Sequence, residues 1–204
     1  MKINSPVIKK IDEKELIIED NSFSGKVINT TIENRDFDDV EFYECVFNNV
    51  RFINCHFKRS SFVDVEFINC DLSNTSFSDS HFGRVEVNES RFTGSDLSSA
   101  SFRDVLINNS IFTYSNFSMS YIKNTLFKCS DFSYSSFNGI KELNLSLEDV
   151  KLCSCEFLNT KLKGIDLSSS DISKIILSSN ELRGATISYE QIVYLAGIFG
   201  VKVK

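Results

Sequence analysis

Counting by fives from Ile32 keeps meeting a large apolar side chain, and nothing else in this 204-residue chain constrains its fold as tightly. Of the 33 positions in this register from Ile32 to Ile192, 32 are Phe, Leu, Ile or Val, and Glu142 is the exception. The register holds 17 of the 19 phenylalanines, where chance would place about a fifth of them. A helix repeats its faces about every 3.6 residues and a strand every two, so neither alone accounts for a step of five. Two residues before each centre the side chains are small or compact, as at Cys45, Val50, Cys55, Ser60, Val65 and Cys70. Two residues after it, Asn, Asp and Gly fill 18 of the 31 positions from Asn34 to Gly184, and these residues tolerate tight turns. Each pentad thus sends one large and one small side chain inward and then turns. A chain that turns to the same hand every five residues closes into a solenoid.

The pattern resembles the pentapeptide-repeat family, whose unit is a small residue, Asp or Asn, then Leu or Phe and two variable residues. The stretches Cys70-Asp71-Leu72-Ser73-Asn74 and Ser95-Asp96-Leu97-Ser98-Ser99 are close copies of it. The resemblance runs from about Ile32 to Ile187. It implies an all-β, right-handed quadrilateral β-helix with four pentads per coil, whose inward ladders step by twenty, as in Phe37, Phe57, Phe77, Leu97 and Phe117. About eight coils spaced about 4.8 Å apart give a rod of roughly 38 Å. Residues 1–31 are expected to form an N-terminal cap and first turns, 32–187 the β-helix, and 188–204 a C-terminal helix and dimerisation segment.

Composition narrows the function. The formal charge is −6, which disfavours direct binding to nucleic acid. No apolar run is long enough for a membrane helix. The start, from Met1 to Lys10, lacks the apolar stretch of a secretory signal, and six cysteines on such a chain read as reduced thiols. A cytoplasmic, membrane-free location is therefore expected. No catalytic group stands out: His56 and His81 are expected on the surface, outside any metal-protease motif. Cys45, Cys55, Cys70 and Cys155 belong to the small inward column and do not stack into a metal set. In Cys153-Ser154-Cys155, alternation sends one thiol in and one out. The ladders Asp39-Arg59-Asp79 and Asp64-Arg84-Asp104 are expected to be solvated pairs worth ~0–1 kcal/mol each. No catalytic residue, metal or cofactor is expected.

Three departures from the repeat carry further information. Glu142 cannot fill a phenylalanine's place in a packed ladder without burying a charge, so a bulge is expected there, with Leu143 or Leu145 turned inward. Leu106 and Leu126, with Tyr114 and Tyr134, form a candidate outward apolar patch, suited either to a partner or to the N-terminal segment. After Ile187, Ser188-Tyr189-Glu190-Gln191 is a capping-box sequence, leading a short amphipathic helix and then a strand over 199–203. The apolar residues there exceed what one cap requires. Ile192, Leu195, Ile198, Phe199 and Val201 are therefore the expected dimer contact, centred on Leu195 and Phe199.

The entry through Asn21-Ser22-Phe23-Ser24-Gly25 and the segment from Gly184 to Gly200 are similar to the Qnr-type quinolone-resistance subgroup of the same family. That resemblance implies a tail-to-tail homodimer that mimics DNA and binds gyrase or topoisomerase IV. Residues 1–50 hold 6 basic and 11 acidic residues, whereas 151–204 hold 7 and 5. On this reading Asp36, Asp38, Asp39, Glu41 and Glu44 stand in for phosphates at one end of the rod. The other reading is a scaffold that engages an unidentified protein through Leu106, Tyr114, Leu126 and Tyr134.

Overall fold

The protein is described by a computed structural model over residues 2–9, 12–198 and 200–202. Five is odd and a strand alternates with period two, so each pentad must take one residue out of the alternation to keep the same positions inward. The backbone does this at the second residue after each centre. Every fifth residue from Asn29 to Gly164 has a positive φ. Asn and Asp adopt that left-handed conformation more readily than other side chains, and Gly does so freely. Where the sequence places Glu44, Arg59, Arg84, Tyr114, Met119 or Tyr134 there instead, each costs roughly 1 kcal/mol.

The coil is twenty residues. Seven strands, β1 (Ser22–Glu33), β2 (Glu41–Ile53), β3 (Ser61–Ile68), β4 (His81–Asn88), β5 (Ser101–Asn108), β6 (Tyr121–Lys128) and β7 (Lys141–Glu148), pair in parallel and in chain order. Each residue from β2 onward meets the residue twenty further on, as Phe42 meets Phe62 and Phe62 meets Phe82. Only β1 slips, by one residue between Phe23 and Gly25. On the remaining walls, bridges such as Arg51 to Asp71 and Asp166 to Thr186 carry the same step. The result is a right-handed quadrilateral β-helix, closed by one short helix, α1 (Tyr189–Leu195).

Register makes the core. Identical residues in successive coils lie one strand spacing apart, about 4.8 Å, which is also a favourable distance for parallel aromatic rings. Phe42, Phe62, Phe82 and Phe102 stack at 4.9, 5.0 and 5.0 Å, with rings within 8° of parallel. Phe37, Phe57 and Phe77 stack on a neighbouring wall. The small column also satisfies itself: Ser60, Ser80, Ser115, Ser135 and Thr160 donate their hydroxyls to carbonyls 23 residues earlier, at 2.6 or 2.7 Å. Cys155 makes the same bond with its thiol, to the carbonyl of Phe132 at 2.8 Å. These hydrogen bonds let polar side chains occupy a buried column, and only the hydroxyls of Ser120 and Ser170 are left without a partner among the described residues.

Both ends are covered. Leu16 and Ile18 pack partly against the core at the start, and the Lys14 ammonium lies 5.2 Å from the Phe23 ring centre. Residues 2–9 run along the outside of the rod. The Asn4 and Val7 N–H groups donate to Asp104 and Asp64, at 3.5 and 2.8 Å, and Lys9 pairs with Glu44 at 2.9 Å. At the other end, the capping box of α1 forms as expected, with Ser188 accepting from the Gln191 N–H and Gln191 accepting from the Ser188 N–H. The Gln191 amide also donates to the carbonyls of Leu167 and Ser170, which fastens the helix over the last coil. Residues 200–202 form no strand.

The wall at Glu142 does not bulge. β7 pairs with β6 without a shift, Ile122 facing Glu142 and Thr125 facing Leu145. Leu145 is inward because it belongs to the small column, and Leu143 points out, 49% exposed. Glu142 stays in the inward column but half-buried, so the charge is accommodated by partial exposure rather than by a backbone rearrangement. Backbone pairing with β6 outweighs one unfavourable side chain, and among the described residues β7 makes no backbone hydrogen bond to the coil that follows, which leaves Glu142 room to stay partly exposed.

Candidate functional site

The thiols and imidazoles do not assemble. Among the described residues no three His, Cys, Asp or Glu side chains gather to hold a metal. Burial pushes the thiols of Cys45 and Cys155 up to about 12 and that of Cys70 up to about 11, so none is a nucleophile at neutral pH. Cys153 is half-buried beside the buried Cys155, and both are free. His56 is exposed, but His81 is half-buried, bonded to Ser101 at 2.7 Å and pushed down in pKa by burial and then by Arg103.

The acidic end is partly neutralised by its own coil. Arg59 grips Asp39 with two bonds of 2.8 and 2.7 Å, holding its carboxyl below the ordinary aspartate range. The same guanidinium lies 3.8 Å from Asp38, and Lys9 takes Glu44. Asp36 is spent on its own turn, accepting from the Asp38 N–H at 2.9 Å, and Glu41 is exposed. Among the described residues, Asp36 and Glu41 alone of the five have no ion-pair partner. The second ladder departs from expectation. Asp64 and Asp104 are only 8% exposed, because the N-terminal segment lies over them. Arg84 bonds Asp64 twice at 2.6 Å and, with the Val7 N–H, holds that carboxyl low. No spacing rule in the sequence announced this covering, since residues 2–9 carry no repeat.

The proposed apolar patch divides. Leu106 and Leu126 face each other across β5 and β6, both half-buried. Tyr114 and Tyr134 stand at a corner a full wall away, stacked at 4.9 Å and 62% and 53% exposed. At the C-terminus, Leu195 is corrected from the surface to the core. It is 1% exposed, because α1 lies across the open coil and points this side chain down. Ile198 is half-buried beside it. Tyr189, Ile192, Val193, Tyr194 and Val201 remain exposed, and Phe199 lies outside the described residues.

A twenty-residue parallel coil, turned by left-handed corners, defines a β-solenoid built of pentad repeats. Two overlapping stretches, 35–112 and 60–137, match the pentapeptide repeat region. The chain belongs to the pentapeptide-repeat family. It is similar in fold to two solved structures of trypsin-treated QnrB1 variants, a plasmid-mediated fluoroquinolone resistance protein, with TM-scores of 0.58 and 0.56. The identities are 24% and 23%, over 88% of this chain and 91% and 89% of those chains. This likeness establishes the fold. No curated protein sequence matches the chain significantly. Among the described residues no helix is long and apolar enough to cross a membrane.

Proposed function

We propose that this chain acts without catalysis in the cytoplasm, as a tail-to-tail homodimer that binds gyrase or topoisomerase IV in place of DNA and protects it from a quinolone or a peptide toxin. The observation that carries this reading is a rod similar to QnrB1 along nearly its whole length, whose capped C-terminal end keeps Tyr189, Ile192, Val193 and Tyr194 exposed. A two-fold contact pairs one patch with itself, and an apolar row on a helix already anchored by Gln191 and Leu195 suits that role. Ile192→Lys is therefore expected to give monomers with an intact fold, whereas Leu195→Lys disturbs the cap itself. Light scattering separates the two.

On the acidic coils, Asp36 and Glu41 are the carboxylates with charge to spare for a basic saddle, and Asp38, Asp39 and Glu44 are already matched. The test is gyrase supercoiling with and without a quinolone, over a range of protein concentrations at moderate salt. Dose-dependent inhibition or protection, lost in Asp36→Lys/Glu41→Lys, supports the reading; neither effect with cognate gyrase ends it. A second reading, a scaffold for another protein, draws on Tyr114 and Tyr134. Bulky aromatics at a left-handed corner are costly, and here two of them stack in solvent where the preceding coils use Asn or Gly.

A further inference from the structure

The charged ladders of this rod alternate in sign, with one basic face as the exception. Residues twenty apart pair as Asp39 with Arg59, Asp64 with Arg84, Arg51 with Asp71, Lys128 with Glu148 and Asp131 with Lys151. That is what stacking at strand spacing favours, since like charges directly opposite destabilise a sheet. On the wall of β5 to β7 and the coils beyond it, the rule fails. Arg103 sits opposite Lys123. Lys141 and Lys161 occupy the same position one coil apart, as do Lys163 and Arg183. The bonds from the Leu162 N–H to the Glu181 carbonyl and from the Gly164 N–H to the Gly184 carbonyl flank that last pair, the register slipping by one residue between them. None of these six bases forms an ion pair among the described residues. The carboxylates nearest these bases are Asp104, covered by the N-terminal segment, Glu142, half-buried in the inward column, and Glu181, held by Ser178 and the Asn159 N–H; Glu148 is taken by Lys128, and Asp166 lies past the next corner. Two acidic counterparts exist elsewhere: Glu44 with Asp64, each taken by a cation (Lys9 and Arg84), and Glu66 opposite Glu86, half-buried rather than displayed.

We infer that this face, Arg103, Lys123, Lys141, Lys161, Lys163 and Arg183, is a docking surface for an acidic segment of a partner protein. Three like-charge pairs on one face are an unrelieved repulsion that an anionic ligand relieves, whereas elsewhere such pairs are either relieved by cations, as at Glu44 and Asp64, or half-buried, as at Glu66 and Glu86. The stripe from Arg103 to Arg183 is four coil steps, about 19 Å, which about six extended residues span. Leu143, 49% exposed, lies between Lys123 and Lys163 in the same column, and Tyr121 lies beside Lys141. An apolar side chain among the cations suits a peptide that carries Leu or Phe among its carboxylates. It offers nothing to a phosphate backbone, and a single tyrosine is no platform for successive bases. The formal charge of −6 also sets the rest of the surface against a long polyanion. This inference does not rest on the topoisomerase reading and involves a different face.

The test uses the full chain and a fluorescein-labelled peptide of about twelve residues that repeats Glu-Glu-Leu, followed by fluorescence anisotropy at low and moderate salt. Binding is expected to weaken with salt and to fall about ten-fold or more in Lys123→Glu/Lys163→Glu. Lys58→Glu/Lys174→Glu makes the same change in net charge elsewhere on the rod and is expected to bind like the unaltered chain. Relief of repulsion also predicts that Lys123→Glu/Lys163→Glu melts about 1–3 °C higher at low salt, which shows that it is folded. Absent binding, equal losses in both double variants, a lower melting temperature for Lys123→Glu/Lys163→Glu, or tighter binding of an oligothymidylate of equal charge each overturns the proposal.

Discussion

Glu142 stands where seven neighbouring coils would have a phenylalanine, leucine or isoleucine. Its column runs Phe42, Phe62, Phe82, Phe102, Ile122, Glu142, Leu162, Leu182, and all but Glu142 are buried. Glu142→Leu is expected to stabilise the protein. Leu is close to Glu in size and is the residue of the next two coils, so overpacking is small. Full burial of a leucine side chain is worth about 1.5–3 kcal/mol, and a half-buried position realises about half, near 1 kcal/mol. If the wall closes over the new side chain, the gain rises to about 2 kcal/mol, with the cost of dehydrating a carboxylate removed as well. For a domain of this size each kcal/mol raises the melting temperature by about 2–4 °C, so thermal circular dichroism reads an increase of about 2–8 °C. The reciprocal change, Ile122→Glu, places the charge at a position with no exposure and should lower stability by several kcal/mol. An unchanged or lower melting temperature for Glu142→Leu would refute the reasoning. It would mean that the backbone, and not the carboxylate, holds this wall open.

Three further outcomes follow from the same geometry. Phe77→Asp should unfold the rod because it sets a carboxylate in a stacked ring ladder, while Phe77→Leu, the residue of the next coil at Leu97, should cost only about 1–1.5 kcal/mol by urea denaturation. The Asp64 carboxyl is held low by Arg84, so its stabilising contribution is full above the ordinary aspartate range and is lost as pH falls through the lowered value. Protection of the Val7 amide from hydrogen exchange should drop in that acid window, and Asp64→Asn should reproduce the drop at neutral pH. A thiol reagent at mild alkaline pH should label Cys129 and Cys153 in the folded protein and all six cysteines in denaturant; rapid native labelling of Cys45 or Cys155 would contradict their burial.

The period of five determined the coil, the inward columns and the corners, because backbone geometry leaves few ways to reconcile an odd repeat with an alternating strand. That is why Phe77 and Cys155 could be placed inward, and Asn49 at a corner, by counting alone, whereas Leu145 is expected inward only as one alternative in a bulge that does not form. The same arithmetic placed Asp39 above Arg59 and Asp64 above Arg84, though it did not say which ladders would be exposed and which covered. Tertiary structure decided what counting could not reach. The N-terminal segment has no periodicity, and only its docking turned Asp64 and Asp104 from surface charges into covered ones. Leu195 has the same helical spacing as Ile192, and the side facing the coil was set by Gln191 reaching the carbonyls of Leu167 and Ser170. Tyr114 and Leu106 are near in sequence but belong to different walls, because each corner turns the chain to the next wall. Glu142 kept its register because β6 hydrogen-bonds the backbone of β7 whatever side chain it carries. A repeat written in side chains fixes the path of the backbone, and what lies across that path is settled only by packing.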